Sequence, residues 1–411
     1  MSTQEANHVA PDLSFEGVHI AGKPTCSKFD ICCRDGVIVS LEEHKPAQSG
    51  EESGPRFLSP SLCHPHIHLD KCFLLSHPKY ADLQIEKGDF AEAMKLTSRF
   101  ISFTLNFHLL YFTGEAKTRF EEEDLMDRGR ALIEESINFG VTHMRAFVEV
   151  DLGVKYKCLE AGLALKELFR DRCYIQICVF AQDPIFSYPD KGRAMMRLLD
   201  NAASMPGVEV FGSTPYVEKD GNREKQIKNM EFGIKTAKRY KLHLDFHIDY
   251  NLDPTKQSMV TEALKLLHTM NWPSNWNNFE YRTIIFGHCT RLTLFDHSEW
   301  LNLCEKVQGL PVSFVGLPTS DLFMMGRPKE EEGGGHRVRG TLQVLQMIKK
   351  YGLNAAMGIN NVGNAFTPQG SCDPLSLASL AVGVYQAGTK ADAELLLVSV
   401  DVLLLEGYWS D

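Results

Sequence analysis

The 411-residue chain is predicted to be an α/β protein, a (β/α)8 TIM barrel preceded by a small N-terminal β element. Three observations predict it. Eight short apolar runs rich in β-branched residues follow one another at 62–68, 141–148, 174–181, 208–215, 242–248, 283–288, 311–316 and 354–359. Segments of helical period alternate with them, and strands alternating with helices make a parallel sheet, which at eight strands favours a closed barrel over an open one. Upstream, the runs FDICC and VIVSL flank Arg34-Asp35-Gly36, and Asp-Gly between two such runs is a strong hairpin signal.

Helices are expected at 126–138, 158–169, 192–204, 224–240, 256–269, 296–307 and 341–351, and a further helical segment at 391–405. The chain then divides into a small β domain at 1–57, a barrel at 58–390 and a C-terminal helical segment at 391–411. A barrel commonly exceeds about 250 residues as one unit, so the length agrees. The stretch GRPKEEEGGGHRVRG, 326–340, joins a charge run to three successive glycines. It reads either as a lid over a barrel mouth or as a solvated surface loop.

Hydrophobic residues make up 44% of the chain and charged residues 23%, material for a large core and far from a disordered composition. The formal net charge of -10 offers no positive field to a phosphate backbone, which excludes nucleic acid as a main partner. The N-terminus is neither basic nor apolar, and no uncharged apolar run reaches about 18 residues, which argues against secretion and membrane spanning. The 11 cysteines are scattered, without a CxxC pair. That is the usage of a reducing compartment, where Cys acts as a small buried hydrophobe, and a cytoplasmic location is expected.

The strongest local signal is Cys63-His64-Pro65-His66-Ile67-His68-Leu69-Asp70 at the end of the first barrel strand. Strand side chains alternate, so His66 and His68 point the same way and two imidazoles at i and i+2 can converge on one metal ion. His64 is expected on the same face, farther back. His247 closes the run LHLDFH and His288 the run TIIFGH, and catalytic residues of such barrels gather at the C-terminal ends of strands. A lone histidine there reads more readily as structural; four at three strand ends read as a site. Phe73, Phe186, Phe323, Met324 and Met325 read as core or as the lining of an apolar pocket. Glu149 and Asp151 read as pocket carboxylates, or, for Asp151, as a helix N-terminal residue. Arg145 is expected in a buried ion pair. No phosphate-binding glycine loop is present.

Taken together, PHIHLD, the histidine closing the fifth strand, GHCT after the sixth and the polar cluster after the eighth resemble the amidohydrolase superfamily, above all its cytosine deaminase-like branch. The resemblance runs from about Leu58 to Leu380. IQICVFAQDPIFSYP resembles the third-strand segment of that branch with its substrate-binding Gln, here Gln182; STPYVE resembles the fourth and LPTSDLFMMGR the seventh. The resemblance implies one divalent ion, zinc or iron, on His66, His68, His247 and the residue at the strand-eight Asp position, Asn360. It also implies that His288 orients the attacking hydroxide and that Gln182, with Asn361, holds the substrate.

Two departures bear on the chemistry. Where the branch reads G-x-D-N-V-x-D-x-F, this chain has Gly358-Ile359-Asn360-Asn361-Val362-Gly363-Asn364-Ala365-Phe366. An Asn amide can offer an oxygen to a metal but cannot act as a base near neutral pH. Where deaminases of the branch read H-x-D-E, the chain has His247-Ile248-Asp249-Tyr250, and a phenol donates a proton but shuttles it poorly. Both losses argue against cytosine deamination itself. The branch also returns after the barrel with strands that pair with the N-terminal element, where this chain has a helical segment. An open strand edge invites association, and a homo-oligomer is expected.

The expected function is a metal-dependent hydrolase of amidohydrolase type, a deaminase or cyclic amidase acting on a C–N bond of a small, cyclic nitrogenous substrate. The ion lowers the pKa of water and polarises the carbon, His288 stabilises the oxyanion, and Asp249 or Tyr250 supplies the proton. The alternative is a relative that no longer hydrolyses, whose pocket binds a small molecule or promotes cyclisation, elimination or decarboxylation.

Overall fold

The computed structural model describes residues 12–24, 26–45, 56–97, 100–101, 112–113, 115–218, 221–273, 282–328, 335 and 337–401. The chain forms two compact units, Met1–Ser61 and Leu62–Asp411. In the first, β1 (Leu13–Ile20), β2 (Phe29–Arg34), β3 (Val37–Glu43) and β4 (Arg56–Leu58) form a sheet of order β3-β2-β1-β4. Asp35 and Gly36 have φ of 49° and 76°. Two left-handed residues in a row make the tight turn whose twist matches the flanking strands, so the predicted hairpin is β2–β3.

In the second unit β5 (Leu62–His68) leads into α1 (Phe90–Thr97), the short strands β6 (Phe100–Ile101) and β7 (Phe112–Thr113), α2 (Glu115–Thr118) and α3 (Glu122–Asn138). Strand and helix then alternate: β8 (Val141–Glu149) and α4 (Lys157–Phe169), β9 (Tyr174–Ala181) and α5 (Arg193–Ala203), β10 (Val208–Ser213) and α6 (Arg223–Tyr240). Next come β11 (His243–Ile248) and α7 (Met259–Thr269), β12 (Ile284–His288) and α8 (His297–Val307), and β13 (Val312–Gly316) with α9 (Pro318–Met324) and α10 (Val344–Tyr351). The last strand, β14 (Ala355–Met357), is followed by α11 (Pro374–Val384) and α12 (Lys390–Val398). β5 and β8 to β14 form one eight-stranded parallel sheet in chain order, the predicted barrel. Among the described residues no helix is long and apolar enough to cross a membrane.

The barrel closes in two ways. Just past β14, the Asn360 N–H donates to His66 O at 3.0 Å, and Asn360 O accepts from His68 N at 2.8 Å. Lower down, the residues after α12 fill the seam. Met357 N donates to Ser399 O at 2.9 Å, Cys63 N donates to Val400 O at 3.0 Å, and Leu62 bridges antiparallel to Asp401. The helix expected at 391–405 is therefore α12 only as far as Val398, then a seam filler; 402–411 lie outside the described residues. Part of the glycine-rich stretch, read as either a lid or a solvated surface loop, 329–334 and 336, also lies outside them.

Inside the barrel, Arg145 Nη1 pairs with Asp245 Oδ2 at 3.0 Å, both fully buried, and Arg145 Nε donates to Gln176 Oε1 at 2.7 Å. Above that polar layer Phe147, Cys178, Phe180 and Val210 pack together. Such layers fill the centre of an eight-stranded barrel and leave its upper mouth for a site.

His64 does not share the face of His66 and His68. β5 sets His64 against Met144 and Ile67 against Ala146, so it carries one more residue than β8 between those pairs. That is a bulge, and it spans Pro65, which has no N–H for the ladder. It turns His64 toward α3, where Nε2 lies 3.1 Å from Ser136 Oγ, while Cys63 packs with Ile285, Val315 and Ala356.

Burial pushes the His64 imidazole down to about 4. The unfolded chain takes up that proton near 6.5, so stability from this group is complete above that pH and is lost as the pH falls toward 4. His64→Gln is expected to reduce the loss of unfolding free energy between pH 7 and pH 4 by about 3 kcal/mol. Urea titrations of both proteins at the two pH values check this, and an unchanged difference would refute it.

Candidate functional site

At the upper mouth three imidazoles converge. His66 and His68 arrive from β5 and His247 from β11, each offering a ring nitrogen, and these atoms lie within 4.8 Å of one another. Two glycines make room for His66: a Cβ on Gly287 would sit 3.1 Å from its ring, and one on Gly358 3.2 Å from its Cβ. His68 Nε2 and His247 Nε2 are 3.1 Å apart. His66 Nδ1 and Nε2, His68 Nδ1, His247 Nδ1 and Asn360 Oδ1 are buried without a hydrogen-bond partner. Buried polar atoms are nearly always bonded, so a His66 nitrogen and Asn360 Oδ1, orphaned beside the converging Nε2 atoms of His68 and His247, call for a ligand.

Burial, with smaller contributions from neighbouring cationic groups, holds His66, His68 and His247 well below the ordinary imidazole value. They are neutral at pH 7 and carry free lone pairs. Neutral imidazoles with an amide oxygen suit a divalent ion such as zinc or iron, so the residues present fit the ion that the sequence implies. Left-handed, non-glycine backbone gathers at these strand ends, with φ of 56° at Asp249, 66° at His288, 50° at Cys289 and 69° at Asn360. Each costs about 1–3 kcal/mol, which the surrounding hydrogen bonds must offset.

His288 closes β12 with Nδ1 2.7 Å from Asp321 Oδ1, and Asp321 Oδ2 accepts from Thr341 Oγ1 at 2.7 Å. A carboxylate accepts, so Nδ1 carries a proton and Nε2 is the nitrogen left free of that bond. Asp321 was not singled out from the sequence although it stands inside LPTSDLFMMGR.

Asp249 does not face this cluster. Its carboxylate accepts from Ser258 Oγ, from Met259 N at 2.8 Å and from Val260 N at 3.2 Å, capping α7. The expectation that it supplies a proton is corrected, since these bonds turn both of its oxygens to α7. The Tyr250 hydroxyl donates to Asp321 O at 3.4 Å, and its ring lies 5.2 Å from that of His288.

A small cavity opens on the cluster, lined by His68, His247, His288, Gln182, Asn360 and Asn361 on the polar side and by Phe90, Phe180, Tyr216, Met324 and Phe366 on the apolar side. Of the apolar candidates, only Met324 is found there. Phe186 packs on Phe232 instead, and Phe73 bends the backbone after β5 with a φ of 55°. Asn361 Oδ1 accepts from Asn364 Nδ2 at 2.8 Å, and Asn364 Oδ1 accepts from Phe366 N and Thr367 N. An amide at position 364 thus donates and accepts at once, which a carboxylate cannot do.

Beside the cavity lies a buried charge network around Glu149 and Asp151, whose lysines sequence reasoning missed. Lys71, the residue after PHIHLD, donates to Glu149 Oε1 and to Gln182 Oε1. An ammonium only donates, so the Gln182 oxygen faces Lys71 and its Nε2 is turned to Met94 Sδ, 2.9 Å away, and the cavity. Lys117, from α2, reaches Glu149 Oε2, Asp151 Oδ2 at 2.7 Å and Asp183 Oδ1 at 3.6 Å. Asp151 also accepts from Gly153 N and Val154 N, closing a turn before α4, so it does not stand at the start of that helix. Burial pushes the carboxyls of Asp70 and Asp183 upward, against the pull of the two lysines. Lys71 was legible as the neighbour of the histidine string; nothing local marked Lys117.

No family model matches the chain. A curated relative, N-isopropylammelide isopropyl amidohydrolase of Pseudomonas sp. (strain ADP), is 25% identical over 248 residues. The match spans 58% of this chain and 53%, about half, of that relative. Two solved structures share the fold. The 5-methylcytosine deaminase of Klebsiella pneumoniae, liganded with 5-fluorocytosine, superposes with a TM-score of 0.74 at 19% identity, covering 96% of this chain and 86% of that one. N-isopropylammelide isopropylaminohydrolase of Burkholderia multivorans superposes at 0.66 with 18% identity, covering 97% and 87%.

Replacing Lys117 by Met leaves Glu149, Asp151 and Asp183 without their shared cation. A loss of about 3–5 kcal/mol in unfolding free energy is expected at pH 7.5, because a buried charge cluster loses one side. The loss should shrink as the pH falls toward 5 and the stranded carboxylates take up protons. Denaturant titrations across that range check both the size and the sign.

Proposed function

The chain has the fold of the amidohydrolase superfamily, and on that footing we propose that it is a metal-dependent hydrolase of a C–N bond in a small, cyclic nitrogenous compound. The carrying observation is the convergence of one ring nitrogen each from His66, His68 and His247 within 4.8 Å, beside the buried, unpartnered Asn360 Oδ1. In this reading those four side chains hold one divalent ion, zinc or iron, which when bound supplies Lewis acidity and lowers the pKa of water.

The chain's own groups take the remaining roles. His288, fixed by Asp321, is the base whose Nε2 accepts a proton from the attacking water and returns it to the leaving nitrogen. Asn360 cannot do this, and Asp249 is engaged with α7. Gln182 turns its Nε2 to the cavity, and Asn361, whose oxygen is held by Asn364, has its Nδ2 left to donate. Both therefore suit a substrate with carbonyl or ring-nitrogen acceptors on those sides. Tyr250 serves as a wall rather than a shuttle, because burial pushes its phenol well above the ordinary value. Phe90, Phe180, Tyr216 and Phe366 suit the faces of a planar ring. The names of the relatives, a deaminase and two N-isopropylammelide hydrolases, support the C–N assignment. The proposal includes a cytoplasmic location, consistent with 11 free cysteines, and self-association.

Asn360 in place of a carboxylate favours a second reading, a pocket that binds its ligand or promotes a step without an activated water. Elemental analysis separates the two with activity assays. The purified chain is expected to hold one divalent ion per chain, and His247→Ala to lose most of it. Asn360→Asp is expected to raise hydrolysis of aminopyrimidines or N-alkylated triazines by about 10²–10⁴. Metal bound with no hydrolysis by either form would end the hydrolase reading and leave the second.

A further inference from the structure

On the outside of the barrel, apart from the cavity just described, α7 and α8 flank a groove lined by Arg223, Lys256, Lys265, Arg291 and Lys306 against Glu262 and Glu299. Five cationic side chains to two acidic ones is an unusual concentration in a chain whose net charge is -10. Arg223 and Glu262 approach to 3.7 Å, and the Lys306 ammonium donates to Asn302. For Arg291, Lys256 and Lys265, no carboxylate of the described residues lies within ion-pair reach.

Arg291 is the telling residue. It is only 6% exposed. Its Nε donates to Lys256 O at 2.9 Å and its Nη2 to Pro254 O at 3.3 Å, both neutral carbonyls, while Nη1 is buried with no partner. A guanidinium is always charged; this one lies over the Phe295 ring at 5.5 Å and is attracted by Asp253 from beyond ion-pair distance, so no carboxylate neutralises it directly. The planar fork, backed by two mobile ammonium groups, matches the geometry of a tetrahedral oxyanion.

We propose that this groove binds a phosphate-type oxyanion, free or carried on a phosphate monoester, with Arg291 at the floor and Lys256 and Lys265 at the exposed rim. Arg291 stands three residues after His288 and grips the loop between Asp249 and α7. A bound anion therefore fastens together the loops that follow β11 and β12.

Calorimetric titration of the full chain with inorganic phosphate, and separately with phenyl phosphate, tests the proposal, with chloride at equal ionic strength as the control. Saturable binding of one anion per chain is expected, weakened about tenfold or more in the double variant Lys256→Gln, Lys265→Gln, whose exposed positions leave the fold intact. Arg291→Lys, which keeps the charge and loses the fork, is expected to weaken binding as well. Equal affinity for both probes supports free phosphate as the ligand; preference for phenyl phosphate supports a monoester. Saturation by neither probe, or binding that the double variant leaves unchanged, overturns the site.

Discussion

An eight-stranded parallel barrel must bring its first strand back to its last, and here the uppermost contact is the backbone of Asn360 bonded to His66 O and His68 N. The same two hydrogen bonds decide where the chemistry sits. They bring the β5 imidazoles and the Asn360 amide to the mouth together, and Gly287 and Gly358 leave the His66 ring the space it occupies. Closure of the fold and assembly of the histidine cluster are one event, so the site cannot form on a barrel that has failed to close.

Around the cluster, charge is arranged in tiers. The deepest is Arg145 with Asp245, sealed in the barrel. Above it the imidazoles are neutral because burial disfavours their protonation. To one side, Lys71 and Lys117 stand among four carboxyl groups and fix which end of Gln182 faces the cavity. A buried ion network of this kind contributes little net stability, but it holds orientation. In this chain the orientation so held is that of a hydrogen-bond donor beside the cavity.

The barrel was legible because period-two and period-3.6 patterns alternate in chain order, and all eight strands lie within a few residues of the runs that foretold them. The histidines were legible because strand ends are where such barrels place polar side chains. His64 was misread because strict alternation ignores a bulge, although Pro65 in the middle of the string was a local sign that the ladder would break there. Asp249 was misread because a carboxylate two residues after a metal-type histidine looks the same in sequence whether it caps the next helix or faces a substrate. Lys117 could not have been placed from pattern at all, since its role arises only when α2 is laid against β8 and β9.

The residues that follow α12 add one further property. Ser399 to Asp401 supply backbone partners to Met357 and Cys63, and Met357 stands three positions before Asn360. This segment acts as a keystone: displace it, and both flanking strands lose their lower partners. A disturbance at 399–401 is thereby transmitted in three residues to the rim of the cavity.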